Sequence, residues 1–211
     1  MNRFFPLLIF LLVFSSFRTG KEKEYPFEKW TADELEKANT AKSVTYLSDE
    51  EKKVIFYTNL VRIDPQLFGE TYAQRFIDSA GYKSAYAHSL LAELKRRKPL
   101  QALLPDSVLS AAAAEHAAAT GKSGRIGHSG NRKRFKQVRN RFSLWGENCS
   151  YGYDQALDIV MQLLIDENTS SLGHRKNILK PEFTHIGTGI SEHIIYKWTC
   201  VQDFGGQYSG K

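Results

Sequence analysis

The sequence predicts an α+β domain, with helices first and strands last. Two observations carry that reading. Apolar residues recur at helical spacing through most of the chain, from Val54 to Leu164, and a period-two pattern appears only in the closing stretch, Ile186 to Phe204. Helices and strands segregated in this way favour a layered antiparallel sheet over alternating βα units. No internal repeat is visible. The 211 residues suit one domain with appendages, and the 42% hydrophobic and 25% charged composition excludes collagenous, mucin-like and wholly disordered chains.

The elements follow in order. Met1-Asn2-Arg3 precedes an apolar run from Phe4 to Phe14, broken only by Pro6 and followed by Ser15 and Ser16. A basic start, a short apolar stretch and small residues after it form a secretory signal peptide over residues 1–20, so the chain is expected in a secreted or periplasmic location. The run is shorter than the ~20 apolar residues needed to span a bilayer. Residues 21–45, charged with a few aromatics, read as a linker or N-terminal arm, and 46–208 as the folded domain. Ser48 and Glu51 form a capping box at the first helix, whose inward residues are Val54, Tyr57, Leu60 and Val61. Asp64-Pro65 opens a second helix, Ala85–Lys98 forms a third, and residues 107–120 form an alanine-rich fourth that permits close packing. Asp154 opens another, with Ala156, Leu157, Val160, Leu163 and Leu164 on one face. In the tail, Ile194, Tyr196, Trp198 and Cys200 share one face of an antiparallel hairpin, while Lys197, Thr199, Val201 and Asp203 share the other.

Residues 121–146 stand apart, with eight basic residues and no acid. The segment reads as a solvated loop; as a binding element, residues 122–141 suit an anionic lipid or cell-wall polymer. An exported chain is not expected to meet nucleic acid.

Polar residues also occupy positions that a core-building sequence would not choose. His128 lies in a glycine-rich loop, Glu147 at the start of a strand, Asp166 and Glu167 at a helix end, and His174 in Gly173-His174-Arg175. Two imidazoles and two carboxylates suit a divalent metal, Zn²⁺ or another weakly held cation, or a hydrogen-bonded acid/base cluster. His116, on the alanine-rich helix, reads as structural. The two cysteines exclude a four-cysteine zinc site; Cys149 and Cys200 either form a disulfide or stand as two buried thiols. There is no G-x-S-x-G elbow and no H-E-x-x-H helix.

Taken together, Ala113-Ala114-Glu115-His116-Ala117, Gly127-His128-Ser129, Gly146-Glu147-Asn148, Gly173-His174-Arg175-Lys176-Asn177-Ile178-Leu179 and Thr199-Cys200-Val201-Gln202-Asp203-Phe204-Gly205 resemble the CAP superfamily, the cysteine-rich secretory, antigen 5 and pathogenesis-related proteins, and most nearly its bacterial secreted branch. The resemblance covers roughly residues 46–206. It implies a three-layer α-β-α sandwich with a central antiparallel sheet and an open cleft lined by His128, Glu147, Asp166 and His174, with the two histidines as metal ligands. Leu163 stands where the family has tryptophan, and Asp166 where it has glutamate, so the adjacent Glu167 is an alternative second acid. Three functional readings follow. The first is an exported binding module holding a divalent metal and an extracellular lipid, glycan, protein or small molecule. The second is a metal-assisted hydrolase with Glu147 or Asp166 as general base. The third is a structural protein whose tetrad only ties loops together. The absence of a nucleophile signature favours the non-enzymatic readings.

Overall fold

The structure, a computed structural model, describes residues 29–207, leaving aside the side chains of residues 131–133. The expected signal peptide, the first part of the arm and the end of the domain at residue 208 lie outside the described residues.

Nine helices and four strands are present among the described residues, and they follow the expected order. Helix α1 (Ala32–Ala38) begins at a capping box between Thr31 and Glu34. Helix α2 (Asp49–Ile63) begins at the expected box between Ser48 and Glu51. Asp64 caps α3 (Pro65–Phe68), which continues through a π-helical turn (Gly69–Ala73) into α4 (Gln74–Ala80). After α5 (Ala85–Leu94) comes the two-residue strand β1 (Leu104–Pro105), and Asp106 then caps the alanine-rich α6 (Ser107–Ser123). Next come α7 (Asn131–Arg141), β2 (Leu144–Tyr151), α8 (Ala156–Ile165), α9 (Gly173–Ile178), β3 (Phe183–His193) and β4 (Lys197–Gly206).

The strands order as β1-β3-β4-β2. The β2–β4 and β3–β4 pairs are antiparallel as expected, and β1 adds a short parallel pairing at the β3 edge. Side-chain alternation gives the sheet two packed faces. Ile186, Cys200 and Phe204 face the main core with α2 and α8, whereas Cys149 and Val201 face Ala113 and Ala117 of α6. The result is the expected α-β-α sandwich. Close seating of α6 depends on glycine: a Cβ on Gly187 would lie 2.1 Å from Ser110 N, and one on Gly189 2.4 Å from Ala114 N.

Two expectations are corrected, and two pairs of alternatives are decided. First, the arm is not a linker from Trp30 onward. Trp30, Ala38, Ala41 and Leu47 are buried in the main core, and Trp30 Nε1 donates to Thr71 Oγ1 at 3.3 Å. Apolar residues there are too sparse to show periodicity; Leu35 and Val44 pack partly buried against the same core, while Ala32 is exposed. Second, the basic segment is not a loop, because it contains α7, packed through Phe135, Val138 and Phe142 onto Leu109 and Ala112. Third, Ile194 and Tyr196 lie in the β3–β4 turn, not on a strand face, and are exposed. Fourth, of the two readings of the cysteines the structure has the buried thiols: Cys149 and Cys200 are both free and buried. Cys149 pairs in register with Val201 and Cys200 with Ser150, so the two thiols project from opposite faces of the sheet.

Candidate functional site

The sheet ends at β2, and there the two helical layers meet. From the α6 side, the loop after α6 brings His128 over Glu147 of β2. His128 Nδ1 donates to Glu147 Oε1 at 2.8 Å, leaving Nε2 with no hydrogen bond among the described residues. Arg134 of α7 donates to Glu147 Oε2 at 2.6 Å and, through its other nitrogen, to Ser129 O at 3.2 Å, which ties the His128 loop to the carboxylate. His116 Nε2 lies 3.8 Å from Glu147 Oε1 and donates to Gly127 O at 2.8 Å. The Glu147 side chain is 5% exposed and that of His128 48%. Burial alone would raise the Glu147 carboxyl, but the hydrogen bonds from His128 and Arg134 outweigh it and hold the group at about 2.

From the α8 side, the chain turns sharply after Ile165. Asp166, Asn168 and Leu172 all take positive φ, the strained conformation that a short, tight connection imposes. The turn points the Asp166 carboxylate at the start of α9. Its Oδ2 accepts from the His174 amide at 2.9 Å, as a helix cap would, and its Oδ1 accepts from His174 Nδ1 at 2.7 Å. Against burial, these bonds from His174 keep Asp166 below the ordinary carboxylate range. Glu167 points elsewhere and accepts from Ser84 Oγ at 2.7 Å, so Asp166 is the acid paired with His174. The buried Arg175 fixes the same corner from below. It donates to Leu164 O at 2.6 Å and to Ile165 O and Tyr86 O at 3.0 Å, closing the carbonyl end of α8.

A chain of amides joins the halves. Asn177 donates to Glu147 O at 3.2 Å and to Asn148 Oδ1 at 2.9 Å, and Asn148 donates to His174 O at 3.2 Å. The outcome is two histidine–acid pairs whose rings face each other across 6.5 Å between centroids. The imidazoles are accessible and the acids lie beneath them, with side chains only 5% and 1% exposed.

The structure therefore brings all four expected residues together. Sequence reasoning missed Arg134, which sat in a run read as solvated, and Asp203. Asp203 pairs in register with Glu147, is fully buried, and both its oxygens lack a donor. Burial, then the charge of Glu147, push its carboxyl far above the usual range. The signal was available: a carboxylate on the strand face opposite an alanine-rich helix has no solvent. A cavity of about 550 Å³ between the end of α6 and the β3–β4 turn is lined by neither histidine of the facing pair.

The family described as "CAP: Cysteine-rich secretory protein family" matches residues 55–204. Similar solved structures include an extracellular protein containing an SCP domain from Bacillus anthracis (19% identity, 83% of this chain and 44% of that one, TM-score 0.49). Another is a cysteine-rich secretory protein from Staphylococcus aureus (12% identity, 77% and 40%, TM-score 0.46). A third is venom allergen-like protein 4 from Schistosoma mansoni (14% identity, 76% and 90%, TM-score 0.47). The chain spans less than half the length of either bacterial protein. Curated proteins give no match.

Proposed function

Because the chain belongs to the cysteine-rich secretory protein family, we propose that it is an exported binding module whose paired histidines hold an exchangeable divalent cation beside an extracellular ligand. One observation carries this reading: each imidazole has its Nδ1–H fixed by a buried carboxylate, which orients the ring and leaves Nε2 as the available donor. Nitrogen ligands of this kind suit Zn²⁺, which would supply a Lewis-acidic centre at His128 and His174. The separation sets the affinity. With Zn–N near 2.0–2.1 Å, a ring centroid lies roughly 3.2 Å from its ion, so two rings around a tetrahedral centre stand roughly 5.2 Å apart. The 6.5 Å found here is wider. The pair must close to share an ion, which favours weak, exchangeable binding.

The acids serve as positioning groups in this reading. Glu147 is occupied by His128 and Arg134, and Asp166 by His174 and a backbone amide, so neither is favourably placed to take a proton from a water between the rings. That weighs against the hydrolase alternative with Glu147 or Asp166 as general base.

Among extracellular ligands, an anionic lipid surface has the most support. Ile126, two residues before His128, and Ile194, Ile195 and Tyr196 of the β3–β4 turn are all exposed; a Cβ on Gly124 would touch both Ile194 and Ile195. Lys122, Arg125 and Lys197 are exposed around them, with Glu192 as an exposed acid beside them. Branched apolar side chains ringed by cations suit an anionic membrane interface.

Zinc titration by calorimetry tests the metal assignment. Wild type is expected to bind one exchangeable ion at the paired histidines, and His174→Ala is expected to weaken that event at least tenfold. Equal affinity in the two proteins would remove the paired histidines as ligands.

A further inference from the structure

Beneath the paired histidines lies a second set of metal donors that does not use His174. The geometry points to a buried site for a thiophilic divalent cation such as Zn²⁺, formed by His116 Nε2, Glu147 Oε1 and Cys149 Sγ, with His128 Nδ1 as the fourth donor. The first three atoms lie within 4.8 Å of one another. His116 Nε2 is 3.8 Å from Glu147 Oε1, and Cys149 Sγ is 3.7 Å from His128 Nδ1. Zn–N bonds near 2.0 Å and Zn–S bonds near 2.3 Å make the edges of a tetrahedron about 3.3–3.6 Å long, so these two edges need to shorten by only a few tenths of an ångström, and Cys149 Sγ lies within 4.8 Å of the His116 and Glu147 donors. A third edge, His128 to Glu147 at 2.8 Å, is a hydrogen bond that has to open.

The fold explains the convergence. Glu147 and Cys149 alternate onto the same face of β2, where α6 is seated closely enough for His116 to reach both. His116 and Cys149 both direct a hydrogen at Gly127 O, at 2.8 and 3.8 Å, which marks the point between them. On loading, His116 exchanges that bond for the ion with its ring proton on Nδ1, His128 carries its ring proton on Nε2 instead of Nδ1, and Cys149 releases its thiol proton to solvent. Arg134 keeps Glu147 Oε2 at 2.6 Å and gives up its longer bond, 3.4 Å, to Oε1, which then serves the metal.

A second observation is independent of the donors. Asp203, directly across from Glu147 and fully buried, has a carboxyl whose two oxygens meet no donor among the described residues. Orphaned buried carboxyls are rare and costly, and a dication beside one offsets that cost. A thiol with imidazoles selects Zn²⁺, Co²⁺ or Cu over Ca²⁺ and Mg²⁺. The site needs neither His174 nor Asp166, so substitution of His174 separates it from the site between the paired rings; the two compete for His128, whose Nε2 carries the ring proton when Nδ1 ligates.

Cobalt absorption on the purified chain distinguishes the two. Wild type and His174→Ala are expected to give a near-ultraviolet thiolate-to-cobalt band, Cys149→Ser to lose it, and His116→Gln to need at least tenfold more Co²⁺ to reach it. Cys200→Ser keeps it. No band in wild type, or a band unchanged in Cys149→Ser, would overturn the site. Should the Cys149 and His116 variants fail to fold, zinc X-ray absorption on Cys200→Ser decides. One sulfur at about 2.3 Å supports the assignment, and a shell of nitrogen and oxygen alone rejects it.

Discussion

A carboxylate as buried as Glu147 stays ionised because His128 and Arg134 hydrogen-bond it, and that dependence has a pH signature. Its folded pKa, about 2, lies below the reference value of 4.5. On acidification the unfolded chain therefore takes up the proton first. The stabilisation is complete above pH 4.5 and is lost as the pH falls towards about 2. Asp166 is displaced in the same direction by His174 and adds to the loss. Urea midpoints measured in the presence of a chelator are expected to drop through that window, and Glu147→Gln to show a flatter dependence; parallel curves would contradict the account. At this scale the sequence was readable where chemistry is local. His128, Glu147 and His174 each sit in a short glycine-flanked motif. Arg134, His116 and Asp203 were not readable as a group, because their roles exist only once α6, α7 and β4 converge on one carboxylate.

Elements whose edges are written in local chemistry were legible, including the capping box of α2, the Asp64-Pro65 start of α3 and the alanine-rich α6. The N-terminal arm and α7 were not, for opposite reasons. In α7, cations mask a packed stripe of Phe135 and Val138, and three of those cations have internal partners: Arg134 pairs with Glu147, Arg141 with Asp106 at 3.0 Å, and Arg139 lies 5.1 Å over Trp145. In the arm, a single aromatic does the anchoring. Trp30 is 5% exposed and packs near Tyr72, whose ring centroid is 6.3 Å away. Truncating a buried tryptophan costs roughly 3–5 kcal/mol, whereas a residue in a linker costs almost nothing. Trp30→Ala is thus expected to lose several kcal/mol in urea unfolding. A change below about 1 kcal/mol would restore the linker reading.

The formal charge of the whole sequence, +6, is unevenly spread. Because Arg134, Arg139 and Arg141 are engaged within the fold, the cations left exposed near the β3–β4 turn are Lys122, Arg125 and Lys197, next to Ile126, Ile194 and Ile195. No helix among the described residues is long and apolar enough to cross a membrane. Membrane contact through the described residues, if they form a peripheral surface, then rests on two separable terms. The apolar term depends little on salt. The cationic term is worth ~1 kcal/mol per residue and fades as the Debye length shrinks from ~10 Å at 0.1 M to ~3 Å at 1 M. Co-sedimentation with vesicles containing anionic lipid separates them. Removing both charges in Lys122→Ala/Arg125→Ala removes ~2 kcal/mol, so binding at low salt is expected to fall about thirtyfold, with little further change at high salt. Ile194→Ser/Ile195→Ser is expected to weaken binding at both salt concentrations. Wild-type binding that ignores salt and survives both double substitutions would place the contact elsewhere on the molecule, and concentration-dependent self-association lost in the isoleucine variant would show that the apolar turn meets a second copy of the chain instead of lipid.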